Sequence, residues 1–418
     1  MTLYHSGFGT PSNRLLPAAS SALSSARRVL YAGWACFIVE DKQGKALICG
    51  KHSQQEQDLV TSFNLTLAKS AGNDRAVQDD CPATRLKFFG WSALQGFLDP
   101  SGNVIGLGYG HEEPLFVGAK DVASCGAPMG QMVVVIDDKT RRLFSWTPFD
   151  PTFCPVSPAL SSLHPQPSIS AVKPSCSLGS TSAIAPSLLS QEPRFVQVWA
   201  GESHFLALAE DGTLYSWGSA RFGQLGHGEL HSEPVPKPIE SLQGIRIVGA
   251  ACGAAFSIAL SGKLLSTSCQ VTFSASLQSG DIYTFGLDDH GQLGIGDMSE
   301  QRRTTAQPQL VDFLDAATGE MIEVNVAQVS CGSAHLVVVD DKGEVWSCGW
   351  GKYGQLGLEA ALVKDKTLVG MEDRMLRTQG TTVIMDDQHQ MQKVFVTTNT
   401  KPWIGLVCGL WSTFLWTE

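Results

Sequence analysis

No Cys-x-x-Cys pair occurs anywhere in the 418 residues, although eleven cysteines are scattered through them, among them Cys36, Cys49, Cys125, Cys252, Cys331 and Cys408. Structural zinc sites and redox dithiols need that close spacing, and an odd number of thiols makes no closed disulfide frame. The pattern predicts reduced, mostly buried thiols of an intracellular protein and no metal centre. Long apolar runs are also missing: the stretch 250–260 is about half the length a bilayer-spanning helix requires. Met1-Thr2-Leu3-Tyr4-His5 has neither the charged start nor the apolar centre of a secretory signal, so the expected address is the nucleus or the cytoplasm. Charge is scarce at 17% of residues, and 40 acidic against 30 basic side chains leave a net −10 with no block of one sign. That balance argues against a phosphate backbone as the partner of the whole molecule, and with the short apolar runs no membrane partner is expected. What is abundant is apolar residues, 43%, and glycine, 42 in all, the composition of a folded chain rich in turns.

The glycines mark a repeat. Residues 200–218, from Ala200-Gly201-Glu202-Ser203-His204 to Tyr215-Ser216-Trp217-Gly218, return as Cys331-Gly332-Ser333-Ala334-His335 to Val345-Trp346-Ser347-Cys348-Gly349. In both copies the marker glycines stand 17 apart, and weaker copies run from Gly33 to Gly50, from Gly90 to Gly108 and from Gly126 to Thr147. A sixth begins at Cys252-Gly253 and reaches Phe285-Gly286 after 33 residues, so it carries an insertion of 16. The two ends supply a seventh: Leu3–Gly7 resembles a closing half without an opening, Val407-Cys408-Gly409-Leu410-Trp411 an opening half without a close. Each copy reads as an antiparallel hairpin, two strands around a turn such as Asp211-Gly212, Lys342-Gly343 or Gln43-Gly44. The strands are apolar on both faces, as stacked sheets require. The reading is an all-β, seven-bladed β-propeller spanning 1–418 as one domain, a monomeric ring closed by pairing of its N- and C-terminal strands.

Three of the copies continue into a second signature: Arg221-Phe222-Gly223-Gln224-Leu225-Gly226, Asp289-His290-Gly291-Gln292-Leu293-Gly294 and Lys352-Tyr353-Gly354-Gln355-Leu356-Gly357. With the Cys-Gly and Trp-Gly markers, these residues resemble the regulator of chromosome condensation repeat family. Within it the pattern is similar to the small domain-containing member that partners a Jumonji-type lysine demethylase, through Gly226-His227-Gly228, Ser241-Leu242-Gln243-Gly244, Gly349-Trp350-Gly351-Lys352-Tyr353-Gly354 and Cys408-Gly409-Leu410-Trp411-Ser412-Thr413. The resemblance implies a non-enzymatic, chromatin- or chromosome-associated scaffold for a regulatory enzyme. Two other roles in similar propellers stay open. One is a cofactor of tRNA wobble-uridine modification and diphthamide synthesis that joins a small zinc protein; the other is a guanine-nucleotide exchange factor for a Ran-type small GTPase. The acidic balance and a first strand entered at Leu3 without a basic arm count against the last. The Gly-Trp-Arg-His-Thr boxes that likeness to the ultraviolet-sensing propeller of plants would require are absent, since Trp34 precedes Ala35-Cys36 and Trp91 precedes Ser92-Ala93.

Four segments interrupt the repeat, at 51–80, 148–193, 262–278 and 358–393. The second is dense in serine and proline, with Pro155, Pro158, Pro165, Pro167, Pro174 and Pro186 expected to defeat regular structure. The first and last are polar and long, with room for short helices such as 359–363 or 372–376. The third reads either as a bulged surface loop or as a retained intron.

No enzyme constellation emerges, and no cofactor is expected. Gly349-Trp350-Gly351-Lys352-Tyr353-Gly354 fits the dinucleotide pattern, yet it runs on into the glycine turn and not into a helix aimed at a pyrophosphate. Ser203-His204 lacks a nucleophile elbow and an acid. His204 and His335, three residues after Gly201 and Gly332, read as structural bonds to the neighbouring blade. Gly218, Gly253, Gly286, Gly349 and Gly409 complete the repeat frame, with Trp146, Trp217 and Trp346 as blade core. The partner surface is expected on the loops after the second repeat strands, where side chains vary within the glycine frame: Arg221, Asp288, Asp289, His290, Trp350, Lys352 and Tyr353.

Overall fold

A computed structural model describes residues 3–7, 16–17, 26–34, 36–71, 87–91, 93–106, 114–126, 132–147, 150–156, 192–264, 277–278, 280–296, 304–315, 318–358, 387–394 and 403–417. Seven blade sheets follow one another along them, antiparallel apart from a parallel pairing of Phe313 with Met391 beside blade 6. Blade 1 holds Ala26–Ala32, Cys36–Asp41 and Ala46–Gly50, and blade 2 holds Lys87–Phe89, Gly96–Leu98, Asn103–Gly106 and Phe116–Val117. Blade 3 runs through Ala119–Ser124, Val133–Asp137, Leu143–Thr147 and Asp150–Val156; blade 4 through Phe195–Ala200, His204–Ala209, Leu214–Gly218 and Glu233–Pro238. Blade 5 contains Ile247–Cys252, Phe256–Ser261, Ile282–Leu287 and Thr304–Leu310; blade 6 contains Val326–Cys331, His335–Asp340, Val345–Gly349 and Gln388–Val394.

The seventh sheet joins both ends of the chain. Trp403–Gly409 pairs with Ser412–Thr417, which pairs in turn with Leu3–Gly7 in the register Leu3↔Trp416, His5↔Phe414, Gly7↔Ser412. The first strand of every blade packs beside the first strand of the next, from blade 1 round to blade 7 and back to blade 1. The chain is thus a closed seven-bladed propeller.

Burial follows from the stacking. His204–Ala209, Ile247–Cys252 and His335–Asp340 are buried at every position, because one face of each strand meets the preceding blade and the other face the following one. Leu206, Leu208 and Leu214 of blade 4 pack on Ile247, Ala250, Ala259 and Phe285 of blade 5. Trp217 stacks on Phe205 at 5.2 Å and Trp346 meets Phe313 edge-on at 5.3 Å, and both lie in the core with Trp146. The described cysteines are free thiols, and burial pushes Cys36 and Cys408 up to about 12.

The interruptions carry more regular structure than their composition suggests. Within 51–80 an 18-residue helix, Gln54–Ala71, follows the third strand of blade 1 and buries Leu59, Val60 and Phe63 against Phe88 and Phe97. Ser53 and Glu56 cap it reciprocally: the Ser53 backbone N–H donates to Glu56 Oε2 at 2.7 Å, and the Glu56 N–H to Ser53 Oγ at 3.2 Å. Asp150–Val156 is a strand despite Pro151 and Pro155, which corrects the expectation for the start of the proline-rich segment. It is the outermost strand of its blade, and a proline there forfeits no ladder bond on the solvent side. Lys263–Leu264 pairs with Leu277–Gln278, so the insertion in blade 5 leaves its hairpin as a paired ribbon. Gln388–Val394, at the end of the fourth interruption, is the fourth strand of blade 6, and Phe313–Leu314 pairs beyond it. The helices expected at 359–363 and 372–376, and residues 157–191 of the proline-rich stretch, lie outside the described residues.

Candidate functional site: the loop face of blades 4 to 6

In each of blades 4, 5 and 6 the third strand ends in the same built loop. Gln224 Oε1 accepts the Phe222 N–H at 2.9 Å, Gln292 Oε1 the His290 N–H at 2.8 Å, and Gln355 Oε1 the Tyr353 N–H at 2.9 Å. Ser216, Thr284 and Ser347 of the third strands donate to the carbonyls of Leu225, Leu293 and Leu356 at 2.6, 2.8 and 2.9 Å. Gly226, Gly294 and Gly357 close the turn onto the carbonyls of Gly223, Gly291 and Gly354, with φ of +68° to +79° at all six glycines. Only glycine adopts that geometry without strain, which is why the glycine frame recurs. The Gln and Leu side chains face inward, and the residue pairs before them are the ones left at the surface.

A latch from the next blade fixes two of these loops. Ser257 Oγ of blade 5 donates to the Gln224 carbonyl at 2.8 Å and lies 2.8 Å from His204 Nε2 of blade 4. Thr413 Oγ1 of blade 7 donates to the Gln355 carbonyl at 2.7 Å and lies 3.3 Å from His335 Nε2 of blade 6. Since each hydroxyl gives its proton to a carbonyl, the imidazole Nε2–H donates to the hydroxyl oxygen. Both histidines are wholly buried, and burial lowers them to about 3, so they are neutral at physiological pH. Each imidazole folds back on the marker glycine three residues earlier: a Cβ at Gly201 would stand 2.3 Å from the His204 ring, and one at Gly332 2.0 Å from that of His335. The Gly-x-x-His spacing is therefore steric in origin.

The variable positions then fall into two groups. Arg221 is exposed, its guanidinium 5.4 Å from the Phe222 ring centroid on the blade 4 loop. The rest gather at blades 5 and 6. His290 stacks on Trp350 at 5.0 Å with 16° between planes; Trp350 meets Tyr353 at 5.6 Å; and Lys352 Nζ stands 5.9 Å from the Tyr353 centroid. His290 Nδ1 is 2.8 Å from Asp387 Oδ2, and Asp289 Oδ2 lies 3.8 Å from His290 Nε2. Blade 7 adds Trp411, 4.7 Å from Trp350 and 5.9 Å from Tyr353, both nearly edge-on. Trp411 and Asp387 were not among the residues expected from sequence. Trp411 belongs to a turn of another blade and Asp387 to a non-repeating segment; the signal available was the aromatic residue two places after marker Gly409.

Asp288 does not belong to this surface, and that expectation is corrected. It is 4% exposed, occupies the repeat position of Ala220 and Gly351, which are also buried, and accepts the Leu293 N–H at 2.9 Å through Oδ1. Burial raises its carboxyl to about 6, and Oδ2 has no hydrogen-bond partner.

Residues 211–260 and 279–339 match the regulator of chromosome condensation (RCC1) repeat, and a second form of that repeat matches 195–224 and 326–355. Human RCC1 domain-containing protein 1 is 30% identical over 255 residues, 54% of this chain and 57% of that protein. The propeller carries RCC1 repeats across residues 195–260 and 279–355. It spans about half the length of the curated RCC1 domain-containing relatives it matches. The human E3 ubiquitin-protein ligase HERC2 is 36% identical over 164 residues, 39% of this chain and 3% of the ligase. Among solved structures, Prp20p of Saccharomyces cerevisiae superposes with a TM-score of 0.56 at 15% identity, covering 99% of this chain and 90% of that one, a likeness of fold. Among the described residues of this RCC1-repeat chain, no three His, Cys, Asp or Glu side chains are grouped to hold a metal, and no helix is long and apolar enough to cross a membrane.

Proposed function

We propose that this RCC1-repeat propeller is a non-enzymatic interaction scaffold whose loop face over blades 4 to 7 holds a protein partner. The observation that carries the reading is the ring cluster of His290, Trp350, Tyr353 and Trp411, drawn from three blades onto one face and only partly covered. Partly exposed aromatics on rigid, glycine-framed loops supply large contact area at low entropic cost, and Trp350, Tyr353, Trp411 and Arg221 are of the residue types that dominate interface energies. By likeness to the RCC1 domain-containing relatives, the partner is a chromatin-regulating enzyme of the demethylase type, met in the nucleus.

Affinity capture of the tagged chain from its own cells, beside Trp350→Ala and a Arg221→Glu/Lys352→Glu double variant, tests this. The expected result is a demethylase-type enzyme recovered by the parent and reduced at least tenfold by both variants, with melting temperatures within a few degrees. Recovery of a small zinc protein, or a roughly hundredfold stimulation of nucleotide release from a Ran-type GTPase, would replace the reading by one of the two alternatives. Recovery undiminished in both variants would remove the surface from it.

A further inference from the structure

The three glycine-framed loops place a residue pair at the same two positions, and the pair changes sign in one of them. In blade 4 it is Arg221-Phe222 and in blade 6 Lys352-Tyr353, with the cation 5.4 and 5.9 Å from its neighbour's ring. The scaffold thus sets a cation over an aromatic face twice, an arrangement attractive through the ring quadrupole. In blade 5 the pair is Asp289-His290: a carboxylate stands where the sister loops carry a cation. The backbone is unchanged, since the His290 N–H is held by Gln292 just as Phe222 is by Gln224 and Tyr353 by Gln355. Asp289 and Asp387 then flank a ring system shared by three blades, with His290 parallel to Trp350 and Trp411 edge-on to it. Both indoles remain partly exposed.

We infer that this aromatic and acidic patch receives an arginine-bearing segment of the protein partner, the incoming guanidinium taking up the cation-over-ring arrangement that Asp289 vacates in blade 5. The inference rests on the interaction reading above and supplies its partner chemistry. Charge complementarity selects the occupant, because two carboxylates border the rings and the chain as a whole carries −10. Arginine fits better than lysine: its planar guanidinium stacks on indole while its N–H fork meets a carboxylate, whereas an ammonium is more strongly hydrated.

The test uses the full chain and a synthetic nine-residue Gly/Ser peptide with three arginines, with lysine and citrulline versions beside it, followed by tryptophan fluorescence and calorimetry. Asp289→Lys restores the sister-loop charge on a backbone that already accepts Lys352 and Arg221, so it is expected to fold. Glu320→Lys, on the opposite face between blades 5 and 6, changes net charge equally. Expected are binding in the order arginine, lysine, citrulline, at least a tenfold loss in Asp289→Lys and Trp350→Ala, and no change in Glu320→Lys beyond twofold. Equal losses in Asp289→Lys and Glu320→Lys would reduce the effect to net charge and overturn the inference, as would citrulline binding as well as arginine. Absence of peptide binding while Trp350→Ala still loses the native partner would overturn this inference alone; retention of the native partner by both Trp350→Ala and the Arg221→Glu/Lys352→Glu double variant would overturn the reading beneath it as well.

Discussion

Replacing Thr413 by valine keeps the shape of the side chain and removes one hydroxyl, and the consequence can be worked out from what that hydroxyl touches. Its proton goes to the Gln355 carbonyl at 2.7 Å, and its oxygen lies 3.3 Å from His335 Nε2, in a region where Thr413, Gln355 and His335 are all at most 1% exposed. Valine would leave a buried imidazole N–H without this partner and the buried carbonyl with one long bond only, at about 1–3 kcal/mol for each bond lost. Ser6 Oγ of the N-terminal strand stands 3.4 Å from the same carbonyl and can take over part of the bond. The expected loss for Thr413→Val is therefore about 2–4 kcal/mol, read as a lower urea midpoint at unchanged slope. Thr413→Ser should recover most of it. Adding Ser6→Ala to Thr413→Val should cost more than the two single losses together, because the two hydroxyls share one acceptor. A Thr413→Val protein within about 0.5 kcal/mol of the parent would refute the latch as a stabilising element and leave it a coincidence of packing.

Three further outcomes follow from the same geometry. Deleting residues 1–10 removes the strand paired with Ser412–Thr417 and the edge-on contact of Tyr4 with Trp403 at 5.1 Å, so the truncated protein should melt well below the parent; an unchanged melting temperature would contradict closure. Asp288 has a folded pKa raised to about 6 from 3.8, so its contribution favours folding below about pH 4 and is lost as pH rises through 6. Asp288→Asn keeps an acceptor for the Leu293 N–H and should stabilise the protein by about 1–2 kcal/mol at pH 8 with little gain at pH 4; the reverse pH order in thermal melts would refute this. For His204 and His335 the folded pKa is lowered to about 3 from 6.5, so stability is complete above about 6.5 and declines as pH falls toward 3, and Thr413→Val should not create a new transition above pH 7.

The ring was legible because its register is steric. Gly201 and Gly332 precede His204 and His335 by three residues for lack of room, and the Gly-Gln-Leu-Gly loops repeat because their turns demand positive φ. The terminal halves at Gly7 and Gly409 betrayed the closure by their spacing: Gly7 pairs with Ser412, and a Cβ at Gly409 would stand 2.8 Å from Ser412 Oγ. Where repetition stopped, legibility did too. The helix Gln54–Ala71 is packed on a blade edge by Leu59, Val60 and Phe63, and a polar composition hid that narrow apolar stripe. Asp288 looked like surface because it sits beside Asp289, although its repeat partners Ala220 and Gly351 already marked the position as too cramped for exposure. Trp411 and Asp387 reached the cluster through blade order and a non-repeating segment, neither of which spacing along the chain records.

The pairing of Leu3–Gly7 with Ser412–Thr417 also sets a timetable for synthesis. His5 emerges roughly 400 residues before Phe414, tens of seconds at ordinary elongation rates, and waits through that interval for the strand that receives it. During that interval blades 1 to 6 can form in order, but the ring stays an open arc with an unclaimed strand at one end and a growing edge at the other. Any factor that guards exposed sheet edges would find its substrate in this nascent arc, and a stall late in translation would prolong the exposure far more than an early one.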